Sequence, residues 1–167
     1  MADYYTPTVV QQYIPIADMT PLERLVLSLV FDAEPDGDAL YFFSEIGPSD
    51  MIGLPVALLR SACADSIGID SALAVYVAGK LASVPDDDTE IDLDLSGMSW
   101  DIILQDIVRR SRTLDYVTVA SAFTCSRMRT DGFGGMAVLI TAEVIQGKST
   151  NDILEDFLSA RGDGRGS

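Results

Sequence analysis

The sequence contains no histidine. That absence closes histidine-based catalytic triads, imidazole proton shuttles and every His-ligated metal site. Cysteine is scarce as well: Cys63 and Cys125 are too few for a disulfide framework. Bases are few, with 11 Lys and Arg against 26 Asp and Glu. No apolar run approaches the roughly 18 residues a membrane-spanning helix needs, so no membrane span is expected. The start, Met1-Ala2-Asp3-Tyr4-Tyr5, has no basic segment before an apolar run. A cytoplasmic, reducing location with free thiols is therefore expected.

What is present is enough for a folded body. Of 167 residues, 48% are apolar, which supports a real core and argues against a disordered acidic tail. The net charge of −15 is unevenly placed. Residues 1–108 hold 19 acids and 3 bases, for −16, and residues 109–167 hold 7 acids and 8 bases, for +1. Phosphates repel such an acidic body, so direct nucleic-acid binding is disfavoured and a basic protein surface is the favoured partner. The plainer explanation of the charge is solubility alone.

Residues 1–18, with Pro7 and Pro15, read as an extended or irregular arm. Residues 19–160 read as a single α+β domain, and the Gly-rich 161–167 as a disordered tail. Thr20, Pro21 and Glu23 form a capping box and N1 proline for a first helix, whose Leu22, Leu25, Val26, Leu29 and Val30 share one face. Glu34-Pro35-Asp36-Gly37 reads as a turn and Ala39–Phe43 as a buried strand. Pro55 opens a helix that Gly68 stops, and Ser71 or Asp70 caps another to about Ala82. Glu90 to Leu95 alternates strictly, as a half-buried strand with a wet acidic face. Ser99 caps a helix burying Trp100, Ile103, Leu104, Ile107 and Val108. Strands at about 114–125 and 134–145 flank a turn at Asp131-Gly132. A final helix from Ser149 to Ala160 buries Ile153, Leu154, Phe157 and Leu158. The expected fold is a two-layer sandwich: about four strands, largely antiparallel, with helices on one face.

Three clusters carry candidate chemistry. Asp86, Asp87, Asp88, Glu90, Asp92 and Asp94 form the first. Same-face carboxylates on a strand recur about every 6.8 Å, near the spacing of phosphates along one nucleic-acid strand. Such a row could compete for a groove lined with Lys and Arg. Asp32, Glu34, Asp36 and Asp38 could extend it. The plainer alternative is a solvated strand face or an edge defended by charge. The second is a calcium loop at Asp32–Gly37; it lacks the closing Glu, position 12 being Phe43, so no metal site is expected.

The third cluster lies between Thr124 and Gly135, where Cys125 has Arg127 and Arg129 close by in sequence. Joined by Arg109, Arg110 and Asp131, it would form a small-anion site or a thiol enzyme. The Cys-x5-Arg spacing of thiol phosphatases is absent. Gly132, Gly134 and Gly135 do not make GxGxxG, so no dinucleotide cofactor is expected. The plainer alternative is a hairpin whose glycines allow close backbone approach. Cys63, on a helix beside Leu59 and Ala62, reads as a small core residue. Arg161-Gly162-Asp163 matches a cell-adhesion triplet by chance.

Met19-Thr20-Pro21-Leu22-Glu23-Arg24, the Thr124–Gly135 stretch and Lys148-Ser149-Thr150-Asn151-Asp152-Ile153-Leu154 resemble small uncharacterised acidic proteins of alphaproteobacterial plasmids and mobile elements. The resemblance implies a host-interaction or counter-defence role and no site residues. The expectation is thus a non-enzymatic, acidic protein-binding module, a candidate nucleic-acid mimic. An anion-binding domain or enzyme at the Cys125–Gly135 hairpin is the rival. Self-association of copies through acid-to-arginine contacts is a third expectation.

Overall fold

The computed structural model describes the backbone of residues 2–165 and the side-chain surroundings of residues 2–162. The fold is α+β, with one eight-stranded sheet and a separate two-stranded ribbon rather than the four strands expected. The elements are β1 (Tyr4–Tyr5), β2 (Thr8–Val10), β3 (Ile14–Pro15), α1 (Pro21–Val30), β4 (Asp32–Asp36), β5 (Ala39–Ser44) and β6 (Met51–Pro55). They continue as α2 (Val56–Asp65), α3 (Ala72–Ala82), β7 (Glu90–Asp94), α4 (Trp100–Arg110), β8 (Tyr116–Cys125), β9 (Gly134–Thr141), β10 (Ile145–Ser149) and α5 (Thr150–Arg165). The large sheet runs β10-β9-β8-β2-β5-β3, with β1 also on β8 and β4 also on β5; every pairing is antiparallel.

The N-terminal arm lies at the middle of that sheet. Val9 pairs with Ala120 of β8 on one side and Phe43 of β5 on the other. Val10 and Ile14 are fully buried. Local sequence could not reveal this, because both partners are distant in the chain and Pro7 and Pro15 interrupt the pattern. Between β2 and β3 the chain bends at Gln11 and Gln12. There the Gln12 side chain stands in for the backbone ladder: Thr118 N–H donates to its Oε1 (2.6 Å) and its Nε2 donates to Thr118 Oγ1 (3.0 Å).

The buried sheet residues share one face. Val10, Leu40, Phe42, Val117, Val119 and Ile140 join the inward residues of α1 to α4 in a single apolar cluster. Thr20 caps α1 as expected, accepting from Glu23 N–H while Glu23 accepts from Thr20 N–H. Ser71 caps α3, accepting from Ala74 N–H at 3.3 Å. The acid-rich stretch after α1 is a strand rather than a turn: β4 pairs with β5 from Asp32↔Phe43 to Asp36↔Ala39, and the tight connection holds Gly37 at φ 57°. The stretch 134–145 is likewise two strands, β9 folding back on β10 after Thr141.

The last helix departs furthest from expectation. Ile153, Leu154, Phe157 and Leu158 are not buried; they are 38%, 54%, 65% and 63% exposed. A 3.6-residue apolar stripe predicts that a face seeks cover, not that this chain supplies it. The segment expected to be a disordered tail is also helical as far as Arg165, and residues 166–167 lie outside the described residues.

Candidate functional site

The acidic row begins with the β6–β7 ribbon. Leu93 is fully buried and Ile91 packs against the core, which fixes the strand and turns Glu90, Asp92 and Asp94 outward into solvent. The register sets Glu90 opposite Pro55, Asp92 opposite Gly53 and Asp94 opposite Met51. No cation therefore stands across the ribbon from any of the three. Gly53 also leaves room for the row: a Cβ there would lie 3.2 Å from Asp92 Oδ1.

Asp94 is held in place. Its carboxylate accepts from Ser96 N–H at 2.9 Å. Its pKa lies below the ordinary carboxylate value, first because of the Ser96 backbone hydrogen bond, then the Ser96 side chain, with a smaller pull from Lys80. Tyr76 donates its hydroxyl to the Asp94 carbonyl, and Lys80 sits 5.3 Å from the Tyr76 ring centroid.

Asp86, Asp87 and Asp88 precede the strand in an exposed loop. The loop is turned by Asp88 N–H donating to Pro85 C=O (3.1 Å) and tied to α2 by Val56 N–H donating to Thr89 C=O (2.9 Å). Among the described residues, none of the six acids takes part in an ion pair. No group of three His, Cys, Asp or Glu among those residues could hold a metal ion.

A second row stands on β4, where Asp32, Glu34 and Asp36 are exposed and alternate with Ala33 and Pro35. They lie beside Phe43, Tyr41 and Ala39 on the sheet face away from the core. That face also carries a row of rings, Tyr41 stacked on Phe43 at 5.1 Å and Tyr13 tilted against Tyr41 at 5.6 Å. The period-two spacing of these acids matches that of Glu90 to Asp94, but Pro35 and Gly37 disguised it as a turn.

The residues of the rival anion site do not come together. Arg109 donates Nε–H to Ala142 C=O (2.9 Å) and pairs with Asp106 at 3.2 Å. Arg110 pairs with buried Glu23 and donates to the carbonyls of Asp18 and Asp70. Both arginines border an open cleft of about 760 Å³ that also contains Asp70 and Asp106, so its charge is balanced. Ala142 follows the end of β9 paired with Tyr116, whereas Cys125 is at the other end of β8, about 30 Å away at strand rise.

At that far end Cys125 is half-buried, Arg127, Arg129 and Asp131 are exposed, and a Cβ on Gly132 would lie 2.7 Å from Cys125 Cβ. That close approach is the role of Gly132. Tyr4, paired with Cys125, joins this cluster. Its phenol is held above the ordinary value, first by lost hydration, then by Asp131 and Cys125, with Arg129 opposing them. Sequence reasoning missed Tyr4 because only the pairing of β1 with β8 brings it there. Cys63 is half-buried against the core, and burial pushes its thiol pKa up.

No family model matches the chain, and no curated protein or solved structure matches it. Among the described residues no helix is long and apolar enough to cross a membrane.

Proposed function

We propose that this protein is an acidic, non-enzymatic binding module whose carboxylate row occupies a basic surface on another protein, one that otherwise holds nucleic acid. The observation that carries this is the placement of Glu90, Asp92 and Asp94. They are outward and exposed, and among the described residues they form no ion pair, on a strand anchored by fully buried Leu93. A decoy for phosphates needs regular negative charge on a support that does not reorganise, because flexible acids lose side-chain freedom on binding. The β6–β7 ladder supplies the support, and Asp86, Asp87 and Asp88 lengthen the charged segment at one end. Such a role suits a regulatory or counter-defence protein of a mobile element acting on a host's nucleic-acid-binding machinery.

The test is displacement. Lysate proteins are loaded on immobilised duplex DNA and eluted with the wild-type protein or with a variant carrying D86N, D87N, D88N, E90Q, D92N and D94N. Release of a discrete set of proteins by the wild type and not by the variant supports the proposal. Equal release by both, or release by neither, contradicts it.

A further inference from the structure

Among the described residues, nothing covers most of the apolar side of α5. Exposure rises along it, from 38% at Ile153 through 54% at Leu154 to 65% at Phe157 and 63% at Leu158. Its start is firmly built. Ser149 N–H donates to Asp152 Oδ2 (2.8 Å), Asp152 N–H donates to Ser149 Oγ (3.1 Å), and Lys148 pairs with Asp156. The apolar surface continues onto the sheet, because Thr150 Oγ1 and the Phe123 ring both crowd the space above Gly134. Phe123 is itself exposed. A helix of this length without tertiary cover is marginal in water, so the stripe needs a partner.

We infer that the partner is a second copy of this chain, the two α5 helices packing antiparallel about a two-fold axis near Phe157. Area and charge both favour this occupant. A standard dimer interface buries about 800 Å² a side, somewhat over half of it apolar; Ile153, Leu154, Phe157, Leu158 and Phe123 together expose roughly 500 Å². The acidic body repels another copy, but at this end Arg127, Arg129, Lys148 and Arg161 nearly balance Asp3, Asp131, Asp152, Glu155 and Asp156, so copies can approach here. The helix is polarised as well. Asp152, Glu155 and Asp156 lie in its first turns, and Arg161 lies beyond the apolar stripe. At about 100° per residue the three acids lie roughly 100–160° round the helix from Phe157, off the apolar stripe, so the two stripes can meet without burying a carboxylate, and an antiparallel crossing sets the positive end of each helix dipole beside the negative end of the other. The same patch thus meets itself, as a two-fold interface requires. This dimer does not depend on the acidic row having a partner.

Sedimentation equilibrium of the full chain, at moderate salt and at 1 M salt, tests it. The expected mass is twice 18.0 kDa in both conditions, because an apolar contact survives screening. The F157E/L158E variant is expected at the single-chain mass with the near-UV signal of Trp100 unchanged. Three results would overturn the inference: a single-chain mass for the wild type at all concentrations, a dimer that persists in F157E/L158E, or a dimer that dissociates at 1 M salt.

Discussion

Glu23 and Arg110, 87 positions apart, form an ion pair inside the molecule, joining the first turn of α1 to the last turn of α4. Glu23 is fully buried, and its carboxylate also accepts from Thr20 N–H (2.8 Å) and from the Ser71 hydroxyl (3.4 Å). One side chain thus closes a capping box, meets the cap of α3 and neutralises an arginine. Removing the cation alone strands a buried carboxylate. R110M is expected to destabilise by about 3–5 kcal/mol in urea unfolding, with E23Q/R110M recovering part of the loss. Where folded, R110M should displace proteins from DNA as the wild type does. A folded R110M with native stability that failed to displace them would move Arg110 into the functional site.

The bend at Gln11 and Gln12 gives a prediction about the sheet centre. The Gln12 amide hydrogen-bonds both the N–H and the hydroxyl of Thr118 where the backbone ladder breaks, and Q12A removes these contacts. A loss of about 1–3 kcal/mol is expected from urea midpoints. Deleting residues 1–18 removes the strand between β8 and β5, so the shortened chain should lose its cooperative unfolding transition. A chain that kept full cooperativity without them would show that the arm is dispensable.

The start of α5 should respond to pH at both extremes. Asp152 titrates below its ordinary value of 3.8, first because of the Ser149 backbone hydrogen bond and then the Ser149 hydroxyl. A depressed carboxylate contributes stability above its unfolded value and loses it as pH falls through the lower folded value. Lys148 is raised above 10.5 by its hydrogen bond and attraction to Asp156, so its contribution is full below 10.5 and is lost as pH rises through the folded value. The amide resonances of Ser149 and Asp152 should stay constant between about pH 5 and 9 and move outside that window. Constant shifts down to about pH 2 would contradict the cap.

Unpaired carboxylates repel one another, and that repulsion is screened by salt. The thermal midpoint should therefore rise with added sodium chloride. The variant with D86N, D87N, D88N, E90Q, D92N and D94N should start from a higher midpoint at low salt and respond less to it. An equal salt response in both proteins would mean that repulsion lies elsewhere in the chain.

Features fixed by neighbouring residues were legible in the sequence. The Thr20–Glu23 box, the Ser71 cap and the alternation of Glu90 to Leu95 all depend on contacts within a few positions, and the structure contains each of them. Pairings over long separations were not legible. The arm between β8 and β5 needs partners more than 100 and about 35 residues away. β6 has only Ile52 and Leu54 as inward residues, with Gly53 and Pro55 hiding the alternation. The β4 row was hidden by Pro35, tolerated there because β4 pairs on one side only. The stripe on α5 was legible as a stripe, but its exposure was not, since periodicity does not say which molecule covers a face. Within the acidic cluster, outward orientation at 90, 92 and 94 followed from alternation. The separation of Arg109 and Arg110 from Cys125 followed only from the fold.

The most direct test of the acidic row as the functional surface is the salt dependence of displacement from immobilised DNA. Wild-type displacement should weaken steeply as salt rises, and the D86N, D87N, D88N, E90Q, D92N, D94N variant should lose most of both the displacement and its salt slope. Displacement that is independent of salt, or that survives intact in the variant, would contradict a role for these six carboxylates.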